Sequence, residues 1–148
     1  MVGVGAAPVT ESAQKTILVV DDEPAVRRLI VRTLSDNGFV ALEAGSGTDG
    51  LAIFQVQSGA INLAIVDMVM PAMSGLDLAA ELVRRQPNLK ILYISGHSES
   101  IAMESIARQW PESVLLKPFN RRTLVARVQK LLSKELTAPL AVEPTGRD

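Results

Sequence analysis

The chain has 148 residues and a net charge of −1, with 47% hydrophobic and 3% aromatic residues. This length fits one domain whose hydrophobic core is built from Leu, Ile, Val and Ala, and the charge gives no overall bias toward nucleic acid or anionic membranes. The absence of cysteine excludes disulfides and cysteine–zinc sites, and a single histidine, His97, excludes a multi-histidine metal site.

The apolar runs and the terminal segments predict the location of the protein and its domain organisation. No apolar run approaches the ~20 residues of a membrane span, and the first 15 residues lack the basic start and long apolar stretch of a signal peptide. We therefore expect a cytoplasmic protein with no membrane association. Residues 1–14 and 135–148 are expected to be disordered tails around one domain at residues 15–134.

Apolar periodicity predicts five strands that alternate with five helices. The predicted strands are Thr16–Val20, Phe39–Glu43, Leu63–Val66, Lys90–Ile94 and Val114–Leu116. The predicted helices run from Pro24 to Asn37, Leu51 to Ser58, Ser74 to Gln86, Glu99 to Gln109 and Asn120 to Lys134, and a glycine-rich turn precedes the second. This alternation predicts an α/β fold with right-handed crossovers and a parallel sheet covered on both faces.

The third strand ends abruptly in an acid. Its apolar run, Leu63–Val66, is bounded by turn signals and is typical of a strand buried on both faces. Ligand sites of parallel sheets lie just beyond the carboxyl ends of the strands. Asp67 is therefore predicted to lie where a buried strand meets solvent.

Other polar residues follow the remaining strands in the same way. They are Asp21 and Asp22 after the first strand, Ser95 after the fourth and Lys117 after the fifth. Three carboxylates held close together repel, so one must be protonated or a cation must lie among them. An all-oxygen site of this kind favours a hard ion, above all Mg²⁺.

A hard cation, an ammonium and a hydroxyl around one carboxylate form a receptor for a phosphoryl group. Asp67 would be the nucleophile, forming an acyl phosphate. Lys117 would supply positive charge and Ser95 a hydroxyl donor, so that catalysis would be mostly positioning and charge neutralisation.

Four segments resemble the response-regulator receiver domain of two-component signalling, in the family's order and spacing over about residues 15–134. They are Val19–Glu23, Val66–Pro71 with Ser74–Gly75, Ile94–Gly96 and Leu116–Phe119. The resemblance implies a flavodoxin-like (βα)5 fold, doubly wound, whose five-stranded parallel sheet has the order 2-1-3-4-5 with helices on both faces.

The resemblance also implies the roles of the site residues. Asp67 would accept phosphate from a histidine kinase or a histidine phosphotransfer protein, in a regulatory domain that promotes its own phosphorylation and dephosphorylation. Asp22, Asp67 and the backbone carbonyl of Val69 would bind Mg²⁺ directly, and Asp21 directly or through water. Lys117 would contact the phosphoryl group, and Ser95 would move toward it on activation.

Two further details follow from the same resemblance. The Lys117–Pro118 bond is expected to be cis, a conformation that only X–Pro bonds adopt at low cost. Many receivers have an aromatic switch residue three positions before the lysine, where this chain has Val114. The usual coupling of hydroxyl movement to rotation of a ring is therefore not expected.

The predicted output is protein contact. Only about 14 residues follow the last predicted helix, too few for a helix-turn-helix, so no nucleic-acid partner is expected. The downstream target is not named by the sequence. Signalling would use the face formed by the fourth helix, fifth strand and fifth helix. The protein is expected to be a monomer or a weak dimer that forms through the same face. Both a free-standing regulator and the receiver of a hybrid kinase remain open.

Two alternatives remain open at the level of sequence. Gly45–Gly50 matches the GxGxxG pattern of dinucleotide-binding folds, with Asp67 downstream at the next strand end. This alternative explains none of the other strand-end residues. A second alternative is a pseudo-receiver, which has the fold but acts as an interaction module without phosphorylation.

The residues around the expected phosphoryl group also predict a long-lived phosphorylated state. Val69 and His97 each lie two positions beyond a site residue, where receiver side chains border the hydrolytic water. Val69 has no group that orients or deprotonates water. His97 could do either, since an imidazole titrates at about 6.5.

Overall fold

The computed structural model describes residues 15–96 and 101–133, in which five strands alternate with five helices. The strands are β1 (Thr16–Val20), β2 (Val40–Ala44), β3 (Leu63–Asp67), β4 (Lys90–Ser95) and β5 (Val114–Leu116). The helices are α1 (Pro24–Asp36), α2 (Gly47–Val56), α3 (Gly75–Arg85), α4 (Ile101–Gln109) and α5 (Arg121–Ser133), with a short 3-10 helix at Pro111–Ser113.

The strands form one parallel sheet in the order β2-β1-β3-β4-β5, as predicted. β1 pairs with β2 on one side and with β3 on the other. The chain therefore adds strands first on one side of β1 and then on the opposite side. This topological switch point opens a crevice beyond the carboxyl ends of β1 and β3. The flavodoxin-like fold is therefore confirmed, and it brings the predicted strand-end residues to one edge.

Each face of the sheet has its own hydrophobic cluster. Leu18 and Val20 of β1 pack in the cluster that contains side chains of α2, α3 and α4, whereas Ile17 and Val19 pack with α1 and α5. The four apolar residues of β3 are buried, as predicted, and the strand extends one residue further to Asp67, which is buried as well. Burying a Leu, Ile or Val side chain contributes about 1.5–3 kcal/mol, so the central strands anchor the fold.

The prediction of a glycine-rich turn before α2 was partly wrong. The helix begins at Gly47, and the Ser46 side chain caps it by accepting a hydrogen bond from the Asp49 amide at 3.1 Å. Asp49 in the first turn is also favoured by the helix dipole. Gly50 allows close packing, since a Cβ there would lie 3.0 Å from a methyl group of Val20.

Several predictions lie outside the described residues. They concern the expected tails at residues 1–14 and 135–148, and His97. Within the described ranges, no helix has both the length and the apolar character needed to cross a bilayer.

Candidate functional site

The loop after β1 is held by its own polar groups. Asp21 is fully buried, and one of its carboxylate oxygens accepts a hydrogen bond from the Glu23 amide at 2.9 Å. Arg27 of α1 donates to the Asp21 backbone carbonyl at 2.8 Å and to the Glu43 side chain of β2 at 2.9 Å. These contacts leave the Asp22 side chain exposed beside the buried acid.

Asp67 is the last residue of β3 and is buried. Its Oδ1 accepts a hydrogen bond from the Val69 amide at 3.2 Å, and the following residue, Met68, donates to the Ile94 carbonyl of β4 at 2.8 Å. Helix α3 begins against the same backbone, because a Cβ at Gly75 would lie 2.3 Å from the Asp67 carbonyl oxygen. The Ser–Gly pair of the sequence motif thus allows α3 to approach Asp67.

Lys117 follows β5 and reaches back across the sheet edge. Its amide donates to the Ser95 carbonyl at 2.8 Å, and the Lys117–Pro118 bond is cis, which confirms the prediction. Its ammonium Nζ lies 2.7 Å from Glu23 Oε1, 3.3 Å from Asp21 Oδ2 and 3.4 Å from Asp67 Oδ2. One ammonium therefore lies within 3.4 Å of three carboxylates, two from the loop after β1 and one from the end of β3.

Ser95 is the buried last residue of β4. The pairing of β3 with β4 sets Asp67 opposite Ile94, so Ser95 lies one position further along the same edge. Its backbone carbonyl, bonded to Lys117, links the ends of β4 and β5.

The carboxylates of Asp21, Asp22 and Asp67 form a group that fits a hard cation. Each offers an oxygen, and these oxygens lie within 4.8 Å of one another. Ligand oxygens on opposite sides of a Mg²⁺ lie about 4.2 Å apart, so small side-chain shifts would close the cluster around it. In addition, the buried Asp21 Oδ2 forms a salt bridge of 3.3 Å with the Lys117 ammonium, and no hydrogen-bond donor is aligned with it. This oxygen could therefore also serve as a ligand of a cation.

The electrostatics of the site reflect the crowding. Burial, aided by the Asp21 charge, raises the pKa of Asp67 from 3.8 to about 6, against the opposing effects of the Val69 amide and Lys117. Burial alone would lower the pKa of Lys117, but the carboxylates of Glu23, Asp21 and Asp67 outweigh it and raise that pKa. The ammonium therefore stays charged, and a divalent cation would favour the ionised Asp67.

The structure thus brings together Asp21, Asp22, Asp67 and Lys117. Val69 lies beside them through its amide contact with Asp67, and its side chain is 74% exposed. The sequence interpretation overlooked two features of the site. It gave Glu23 no role, although the carboxylate of this residue lies 2.7 Å from the Lys117 ammonium, and it did not predict the contacts by which Arg27 holds the loop after β1.

Comparison with known proteins identifies the family. The family model for the response regulator receiver domain matches residues 17–129. The chain is 34% identical over 124 residues to the sensor kinase CckA of Brucella abortus, covering 84% of this chain but 13% of the kinase. It is 31% identical over 118 residues to the response regulator receiver protein CpdR of the same species, covering 80% of this chain and 97% of CpdR.

A solved structure agrees with these sequence relatives. The response regulator protein TrrA of Thermotoga maritima, determined in complex with Mg²⁺ and beryllofluoride, is 32% identical with a TM-score of 0.65, over 79% of this chain and 98% of that chain.

The fold and the acidic edge of its sheet define a regulatory domain of phosphorelay signalling. The chain belongs to the response regulator receiver domain family of two-component signalling. The family match includes Gly45–Gly50. In this segment Gly47 begins α2 and Gly50 lets the helix pack closely against Val20, so the dinucleotide-binding alternative is not supported.

Proposed function

We propose that Asp67 is the phosphoacceptor and that Asp21, Asp22, Asp67 and the backbone carbonyl of Val69 bind Mg²⁺. The observation that supports this most strongly is the convergence of three carboxylates within 4.8 Å, with the Lys117 ammonium against two of them. The Mg²⁺ and beryllofluoride complex of the relative TrrA gives further support. When bound, Mg²⁺ neutralises charge on the transferring phosphoryl group.

The proposed reaction is phosphoryl transfer from a phosphohistidine. A carboxylate oxygen of Asp67 attacks phosphorus, the phosphorus–nitrogen bond breaks, and the released imidazole takes up a proton from solvent. The product is an acyl phosphate on Asp67 and a neutral histidine on the donor. Lys117 stabilises the negative charge, and the Ser95 hydroxyl donates a hydrogen bond to a phosphoryl oxygen. By the same groups, the domain promotes its own phosphorylation by small donors and its own dephosphorylation.

The proposed donor is a histidine kinase or a histidine phosphotransfer protein, and the proposed output is a change in protein contacts without nucleic acid or membrane. The receiver domain would span residues 15–134 and act in the cytoplasm. The domain would be a monomer or a weak dimer. It would make its protein contacts through the face of α4, β5 and α5, because Ser95 and Lys117 lie at the ends of strands bordering that face.

The test is labelling by acetyl phosphate with Mg²⁺, measured by intact mass. Wild type should gain one phosphoryl group, and Asp67→Asn should gain none, because an amide is not a competent nucleophile. Asp77→Asn is a matched control, since Asp77 is an exposed aspartate in the first turn of α3. Full labelling of Asp67→Asn would refute the assignment, and an unlabelled wild type would favour a pseudo-receiver.

The metal site is tested separately by NMR titration with Mg²⁺. The resonances of Asp22 and Asp67 should shift in wild type. Unmoved resonances would show that the acidic cluster is not the metal site.

Lys117→Ala should retain part of the labelling but lose the conformational response to it.

A further inference from the structure

The shortest contact of the Lys117 ammonium involves a residue to which the proposed reaction gives no role. Glu23 Oε1 lies 2.7 Å from Nζ, closer than Asp21 at 3.3 Å or Asp67 at 3.4 Å. Glu23 stands at the N-cap position of α1, but its side chain makes no capping hydrogen bond. Its carboxylate is directed to the ammonium instead.

The backbone of Glu23 is fixed, whereas its side chain is accessible. The amide of Glu23 is bonded to the buried Asp21 side chain at 2.9 Å, which anchors the residue at the rim of the site. The Glu23 side chain is 60% exposed and the Lys117 side chain 16%. The carboxylate can therefore swing away into water at little cost, while the ammonium remains in the site.

We propose that Glu23 competes with the phosphoryl group for the Lys117 ammonium and thereby selects among small phosphodonors by their charge. This inference rests on the proposed function. In the resting site the Glu23 carboxylate is the partner that a phosphoryl oxygen must replace. Its negative charge also faces any anionic donor that enters over the rim.

The size of the effect follows from the exposure of the pair. An ion pair with one well-exposed partner contributes little and is screened by salt. Removal of the charge should therefore change rates several-fold rather than by orders of magnitude. The change should be larger for a doubly charged donor than for a singly charged one, because Coulomb repulsion scales with the donor charge.

The experiment measures labelling rates at pH 7.5 with Mg²⁺, using acetyl phosphate as the dianionic donor and phosphoramidate as the monoanionic donor. Glu23→Gln keeps the shape of the side chain and removes the charge, and Glu23→Ala removes the contact. Both should react with acetyl phosphate about five-fold faster than wild type and with phosphoramidate about two-fold faster. The difference should shrink when ionic strength rises from about 0.05 M to 0.5 M.

Glu81→Gln is the matched control, because it removes the same charge from a residue of α3 that pairs with Arg84 and Arg85. It should leave both rates unchanged. Equal rates in wild type and both Glu23 variants would overturn the competition. Slower labelling of the variants with both donors would also overturn it, and would make Glu23 a residue that positions Lys117. If wild type is not labelled at Asp67 by any donor, the proposed function itself fails.

Discussion

At the scale of single residues, the protonation of Asp67 links the site to stability. Its pKa is about 6 in the fold and about 3.9 in an unfolded chain. As pH rises from about 4 to 6, the unfolded chain releases a proton that the folded protein retains, so the free energy of unfolding falls across this window and is constant above it.

Asp67→Asn removes this penalty. In metal-free buffer at pH 7.5 the variant should be more stable than wild type by about 1–2 kcal/mol, and the two should converge near pH 4. Urea unfolding with EDTA between pH 4 and 8 measures the difference. Added Mg²⁺ should then stabilise wild type and not the variant, because a ligand that binds only the folded state raises its stability. A stability difference independent of pH would contradict the raised pKa.

The side chain of Val69 should set the lifetime of the acyl phosphate. It is apolar and lies at the mouth of the site, with its amide bonded to Asp67, so nothing in it directs a water molecule at phosphorus. Val69→Asn should speed phosphate loss about 10-fold, less than the roughly 10²–10⁴-fold that a positioned general acid or base contributes. Loss of phosphate in wild type within seconds, or no acceleration in the variant, would show that this position has no such role.

His97 gives the complementary measurement. If it takes no part in hydrolysis, phosphate loss should be nearly flat from pH 6 to 8 and unaffected by His97→Ala. A rate that follows the titration of an imidazole and disappears in the variant would assign it the role of orienting or activating water.

At the scale of elements, two helices begin in the same way but with different neighbours. Ser46–Gly47 starts α2 and Ser74–Gly75 starts α3, and each serine caps its helix. The three atoms nearest to a Cβ at Gly75 would be backbone atoms of Asp67 and Met68, whereas the three nearest to a Cβ at Gly47 would belong to the Met73 side chain. Backbone cannot move aside as a side chain can.

Gly75→Ala should therefore cost about 3 kcal/mol, comparable to other overpacked sites, and Gly47→Ala about 1 kcal/mol or less. Urea unfolding of the two variants measures both costs. Gly75→Ala should also slow labelling of Asp67, because the clash displaces the strand end that positions the acid. Equal costs for the two variants would show that the approach of α3 to β3 is not the reason for this glycine.

The same elements show why strands were predicted more accurately than helix starts. The bounds of β1 and β5 were predicted to the residue, and those of β2 were off by one residue. Strands are predicted this well because an apolar run bounded by polar residues indicates a strand directly. The first turn of α2 was mistaken for a loop, since its glycines indicate turns unless the cap at Ser46 is recognised.

At the scale of the whole molecule, topology explains why most of the site was predictable from sequence. In a parallel sheet, every residue that follows a strand lies on one edge, so Asp21, Asp67 and Lys117 had to converge. The contact between Glu23 and Lys117 spans 94 positions and depends on side-chain reach. Strand order places these two loops on one edge of the sheet, with β3 and β4 between them, but does not say which carboxylate the ammonium touches.

The route from the site to the surface also belongs to the whole molecule. Val114 of β5 occupies the position where many receivers have an aromatic residue, and it pairs in register with the buried Tyr93 of β4. Arg127 of α5 donates to the backbone carbonyls of Val114 and Pro111. α5 is thus attached directly to the backbone of the edge strand, two residue pairs before Ser95 and Leu116.

A phosphoryl group on Asp67 should attract the side chains of Ser95 and Lys117 and shift the backbone at the ends of β4 and β5. No aromatic ring rotates, since position 114 is Val. Amide chemical shifts on adding Mg²⁺ and beryllofluoride should therefore change most at residues 95–125. In Arg127→Ala the shifts near the site should persist, and those in α5 should decrease at least about two-fold, because the link to β5 is cut while the strand ends are intact. Shifts that avoid residues 95–125 in wild type would contradict this route, and undiminished shifts of α5 in the variant would show that its coupling does not pass through Arg127.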